Sequence, residues 1–171
     1  MFRTSHLIGA AAIAALVSAA LPAHAQTAAV TSEQAMAAMR AMLAYAKNDG
    51  SDPSMAVVDR DGNVILLLQG NNASPHNIGL AERKAFTANK YSMPSIEWRD
   101  KTKAGQPDAD QRKEDKVIPL GGGYPIKVGN EVVGAVGVSG TRGGQEGDTA
   151  AAKAAAEAAA EKAPAPKTAQ N

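Results

Sequence analysis

MAVVDRDGNVILLLQG (Met55–Gly70) and PLGGGYPIKVGNEVVGAVGVSG (Pro119–Gly140) decide the fold of this 171-residue chain. In the first stretch two apolar runs, Ser54–Asp59 and Asn63–Gln69, flank Arg60-Asp61-Gly62. Asp-Gly between such runs is the chemistry of a tight β-hairpin, and Val57, Val58, Val64 and Ile65 suit a pleated surface. In the second, Tyr124–Val128 and Glu131–Ser139 flank a Gly129-Asn130 turn and read as another hairpin. Glycine weakens a strand, so Gly134, Gly137 and Gly140 point to close backbone approach, a bulge, or a ligand against the sheet.

Helical patterns surround the two hairpins. Ser32, followed by Glu33 and Gln34, offers an N-cap for a helix whose stripe is Met36, Met39, Leu43 and Ala46. Core packing explains this methionine-rich stripe better than a soft-metal face, because no second set of soft ligands accompanies it. A second helix is expected from His76 to Tyr91, started by Ser74-Pro75, with Ile78, Ala81, Ala85 and Ala88 forming a small-residue face suited to close approach. From Met93 to Lys116 the chain is polar. Ser95–Trp98 reads as a short helix, and a flexible loop of about 15 residues follows, either a lid or oligomer contact or an exposed insertion. Trp98, the only tryptophan, reads as a packing or subunit-contact anchor. Twelve of the last 23 residues are alanine, so Glu146 to about Lys162 should be helical, with Pro164 and Pro166 beyond it. The order helix, hairpin, helix, hairpin, helix implies an antiparallel sheet with packed helices, an α+β fold.

The two ends and the charge balance narrow the class. Arg3, an apolar stretch from Leu7 to Leu21 and the small-x-small site Ala23-His24-Ala25 read as a secretory signal peptide over residues 1–25, implying a periplasmic or secreted protein. Residues 26–162 then form one domain and 163–171 a disordered tail. Cleavage after residue 25 leaves 146 residues, and loss of Arg3 leaves 17 Lys+Arg against 17 Asp+Glu. That balance argues against nucleic acid as a partner. Cysteine is absent, so neither disulfides nor a thiolate nucleophile are available. His76 alone remains of the three histidines after cleavage, which excludes a His-rich metal site within one chain.

One constellation could carry ligand chemistry. His76, Gly79, Arg83, Thr87 and Lys90 fall at helical spacing and line one face, combining an imidazole, a flat spot, two cations and a hydroxyl. Such a face suits a planar anionic molecule, although spacing alone favours an ordinary solvated helix surface. Leu120-Gly121-Gly122-Gly123-Tyr124 lacks the Lys-Ser/Thr of a phosphate-binding loop and runs into Pro125 and a strand. Ser139 with His76 and Asp59 or Asp61 is the one conceivable nucleophilic set, but Ser139 ends a strand rather than sitting on a strand-to-helix elbow. Asp59 and Asp61 read as turn residues, and no catalytic residue is assigned.

Ala56-Val57-Val58-Asp59-Arg60-Asp61-Gly62-Asn63, Ala81-Glu82-Arg83-Lys84-Ala85-Phe86-Thr87-Ala88, Pro119–Ile126 and Val132–Gly140 together resemble the GlcG/HbpS-type haem-binding family, over about Thr31 to Lys153. The resemblance implies a profilin-like domain: an antiparallel sheet of about five strands, helices on both faces, and assembly as a homo-oligomer. It also implies haem as cofactor, roles in haem and iron handling or redox sensing, and a membrane sensor as partner; haem degradation has been attributed to the group. Carried over by motif, the cofactor-binding residues are His76, Arg83, Lys84, Thr87 and Lys90, with His76 and Thr87 as iron ligands. The alternative is a non-catalytic module for another small metabolite or for a sensor partner. The charged insertion from Arg99 to Lys116 has no obvious counterpart in the family pattern.

Overall fold

The structure, a computed structural model, describes residues 29–163, so the expected leader and all but the first residue of the expected tail lie outside the described residues. The elements are α1 (Ser32–Asp49), β1 (Ser54–Asp59), β2 (Val64–Leu68), α2 (Asn77–Tyr91), α3 (Ser95–Lys101), β3 (Gly123–Val128), β4 (Glu131–Ser139) and α4 (Gly144–Glu161). Thr31, not Ser32, caps α1. Its hydroxyl accepts from Gln34 N at 3.2 Å while Gln34 Oε1 accepts from Thr31 N at 2.9 Å. Gln34 falls three residues after Thr31, which places the reciprocal capping box one residue earlier than expected.

Both hairpins form, and their central strands pair with each other, giving a fully antiparallel sheet of order β2-β1-β4-β3. The sheet has four strands among the described residues, not about five. Each hairpin supplies two, and the long connection after α2 folds instead into α3 and one 3-10 turn, Ala109–Lys113. The α+β reading stands, with α1 and α4 on one face and α2 on the other.

The two faces pack differently. Under α1 and α4, Met42, Met55, Val57, Ile126, Val136 and Val138 form the main core with buried alanines of α4. Gln34 Nε2 donates to the Ala159 carbonyl at 3.2 Å and ties α1 to α4 within it. Under α2 the core is Ala56, Val58, Ala81, Ala85, Ala88 and Ala135, with nothing bulkier than valine. Glycine completes this thin layer: a β-carbon on Gly137 would overlap the Ala81 carbonyl, and one on Gly123 would overlap the Lys84 carbonyl. Close approach is therefore the reason for glycine inside these strands, and it fixes which face of α2 looks outward.

The outer edge of the sheet is less covered. A register shift between Val57 and Val58 leaves Ile65 without a partner, while Val64 and Leu67 stand opposite Val58 and Ala56 on the α2 side. Val64, Ile65 and Leu67 are 40%, 39% and 49% exposed.

Gly137→Ala should cost about 3 kcal/mol or more in denaturant unfolding, because rigid backbone blocks the added methyl. Gly79→Ala, where a β-carbon meets nothing within 4 Å, should instead stabilise by up to about 1 kcal/mol through helix propensity. Equal effects at the two positions would contradict the close approach.

Candidate functional site

The outward face of α2 divides into an open half and a covered half. His76 stands at the N-cap, exposed and without a side-chain capping bond. Gly79 is exposed and faces open space. Arg83 is exposed too, although its Nη2 donates to the Val117 carbonyl at 2.7 Å. Beyond it the chain after α3 lies on the helix. Thr87 is fully buried, its hydroxyl donating to the Arg83 carbonyl at 2.8 Å and accepting from Ile118 N at 2.9 Å. Lys90 pairs with Glu114. Helical spacing thus aligns all five residues, but only His76 and Gly79 meet solvent without a partner over them, while Arg83 is exposed with one guanidinium nitrogen held by Val117.

The insertion responsible for this cover is not the flexible loop expected from its polarity. Trp98 is 1% exposed, stacks on Tyr91 at 4.9 Å between ring centroids, and donates from Nε1 to Gln111 Oε1 at 3.1 Å. Arg112 grips the same unit, donating to Thr102 Oγ1 and to the Arg99 carbonyl. Trp98 is therefore a packing anchor for its own chain. Burial pushes the Tyr91 phenol above its ordinary range, and hydrogen bonds from Arg99 and then Lys103 hold Asp100 down to about 2.

Lys84 is placed elsewhere. It sits with Ala81, Ala85 and Ala88 on the stripe facing the sheet and is 2% exposed. Its Nζ donates to Asp148 Oδ2 at 2.7 Å, to Ser139 Oγ at 3.1 Å and to the Val138 carbonyl at 3.1 Å. Asp148 Oδ1 accepts from Gly140 N, Thr141 N and Thr141 Oγ1 at 2.9–3.0 Å. All three ammonium protons and both carboxylate oxygens are satisfied, so this ion pair clamps α2, β4 and α4 together and leaves Lys84 no donor for a ligand. Sequence reasoning missed Asp148. The signal was there, since Asp148 shares the helical stripe of Ala151, Ala152 and Ala155, just as Lys84 shares that of the α2 alanines.

The remaining candidates are structural. Asp59 accepts from Asp61 N and Asn63 N and holds the first hairpin turn. Gly121 N donates to Gln145 Oε1 and Gly123 N to Ser95 Oγ, so two of the three loop amides are engaged internally. Ser139 is 4% exposed and meets the charged, fully donating Lys84 rather than a base. Among the described residues no group of three or more His, Asp or Glu could hold a metal ion. One open polar cavity of about 800 Å³ lies between the end of α1 and the start of α2, lined by Ser51, Asp52, Asn71, Asn72, Asn77 and Arg142 among others.

Comparison with known proteins agrees with this architecture. The family model described as "Haem degrading protein HbpS-like" matches residues 30–157. The chain belongs to the HbpS-like family. Solved structures of similar proteins include the Klebsiella pneumoniae protein ORFY, with a TM-score of 0.75, 26% identity, and coverage of 81% of this chain and 96% of that one. HbpS itself superposes with a TM-score of 0.71 at 33% identity, covering 77% and 91% of the two chains. A PduOC–haem complex matches with a TM-score of 0.69 at 25% identity, covering 76% and 94%. An uncharacterized 15.0 kDa protein from the dhaT–dhaS intergenic region of Citrobacter freundii is 32% identical over 90 residues, 50% of this HbpS-like chain and 61% of that protein's length.

Removing one partner of the buried pair leaves an uncompensated charge, so Lys84→Met or Asp148→Ala should each cost about 3–5 kcal/mol in chemical denaturation. Lys84→Met/Asp148→Ala should cost clearly less than the sum. Additive losses would show that the two side chains do not act as a pair.

Proposed function

We propose that this HbpS-like chain is an exported haem-binding protein, working as a homo-oligomer in haem or iron handling or in redox sensing with a membrane sensor. The observation that carries the ligand reading is the open half of α2. His76 is the one imidazole among the described residues, exposed and unbonded, followed one turn on by the bare backbone of Gly79 and another turn on by the Arg83 guanidinium. Those groups fit a planar dianionic ligand: His76 as iron ligand, Gly79 beneath the ring and Arg83 on a carboxylate. Thr87 does not fit in the same arrangement, because its hydroxyl is buried and engaged in two hydrogen bonds. Bound haem supplies iron-centred ligand binding and electron transfer, tuned by its axial ligand and surroundings. The family description and the haem complex of a relative support the same reading.

Assembly follows from the sheet edge. Among the described residues β2 is an edge strand whose outer ladder is unpaired and whose Val64, Ile65 and Leu67 are exposed, as are Met36 and Leu43 on α1, two members of the stripe expected in the core. Unblunted apolar edges favour association, and a second copy supplies a chemically matched partner.

A second reading, a small-metabolite binder without haem, is favoured by the polar cavity around Asp52, Asn72, Asn77 and Arg142. Native mass spectrometry of the protein from its own compartment separates the two by the ligand that copurifies.

Titrating the processed protein with haemin should give a saturable Soret shift, and His76→Ala should weaken binding by about tenfold or more, the loss of a principal ligand. No saturable shift would overturn the haem reading.

A further inference from the structure

The geometry points to an autoinhibitory strap: Glu114–Ile118 occupies the anion-binding positions of α2 and gates access to Thr87. This rests on the reading of α2 as the ligand face. The strap places oxygen atoms where a ligand's carboxylates would lie. The Glu114 carboxylate pairs with Lys90 and accepts from the Tyr91 hydroxyl at 3.1 Å, and the Val117 carbonyl accepts from Arg83 at 2.7 Å. Between them Ile118 N donates to Thr87 Oγ1 at 2.9 Å, filling the hydroxyl that would otherwise face outward. The segment therefore offers acceptor oxygens to both cations of the outward face, a carbonyl to Arg83 and a carboxylate to Lys90.

The exposed end of the cover is the lightly held one. None of its contacts belongs to the sheet ladders. Lys113–Lys116 are exposed, and the Lys90 and Glu114 side chains are 38% and 42% exposed, so water competes for that ion pair. Lys116 sits at φ 64, a left-handed conformation uncommon for a lysine. Both roots are firm by contrast: Trp98, Gln111 and Arg112 upstream, and Gly121 and Gly123 bonded to Gln145 and Ser95 downstream. Between these roots the segment is held at one end by the half-exposed Lys90–Glu114 pair and at the other by the buried Val117 and Ile118 side chains, so moving off the helix must expose both. Closed, it leaves a ligand His76, Gly79 and only the part of the Arg83 guanidinium that Val117 does not engage; open, it frees Arg83 fully and extends the site by Thr87 and Lys90.

Because the chain has no cysteine, an introduced thiol reports opening without any ligand. In the full chain, Thr87→Cys should react with a maleimide about tenfold faster than the core control Val57→Cys, since local opening is cheaper than global unfolding. Adding Glu114→Gln should speed only the Thr87→Cys reaction. Amide exchange of Ile118 in the unmodified protein provides the same readout without substitution, and should outpace that of the β4 amides. Equal protection at the two thiols, no response to Glu114→Gln, or Ile118 exchange as slow as β4 would overturn the strap. Haemin titration of Glu114→Gln then separates the two claims. Tighter binding than the parent supports both, whereas fast Thr87→Cys labelling without any haemin binding sustains the gate and removes the haem reading.

Discussion

The approach of α2 to the sheet governs the rest of this structure. Where most helices stand off a sheet by the length of branched side chains, here alanine, glycine and the single Val58 fill the gap, and the Ala81 and Lys84 carbonyls lie where β-carbons of Gly137 and Gly123 would be. So thin a layer contributes less apolar burial than the main core opposite. The Lys84–Asp148 pair compensates by fastening the same helix to β4 and to the start of α4. Together these contacts set the rotation of α2, and with it the residues that look outward.

From that rotation the character of the site follows. The stripe facing the sheet takes Ala81, Lys84, Ala85 and Ala88, which leaves His76, Gly79 and Arg83 to solvent and turns Thr87 and Lys90 toward the insertion. A face that looked continuous by spacing is thus divided by what the rest of the chain lays upon it. In the proposed reading the open part holds the ligand, and the covered part lies under the Glu114–Ile118 segment.

Much of this was legible in the sequence because the relevant signals are local. Asp-Gly at the first hairpin, Gly-Asn at the second and the alanine stripes of α2 and α4 led to elements that the structure contains with bounds shifted by a residue or two. Of the three causes open for the strand glycines, close backbone approach holds at Gly134 and Gly137. Less legible were features that depend on contacts distant in sequence. The partner of Lys84 lies 64 residues away, and the ordering of the polar insertion comes from Trp98 meeting Tyr91 and Gln111, which hydropathy does not reveal. The motif carried Lys84 into the cofactor set with its neighbours, and only its burial shows that the charge is used inside. The five-strand expectation came with the resemblance, while the chain's own apolar runs support four.

The account's central claim is that the outward face of α2, starting at His76, is where this HbpS-like protein holds its ligand. The most direct measurement is an amide-resolved NMR titration with ferric haem, whose unpaired electrons broaden the signals nearest the iron. The account predicts selective loss of the His76–Arg83 amide signals. Broadening centred on Asn71–Ser74 and Gly140–Arg142, around the polar cavity, would contradict it.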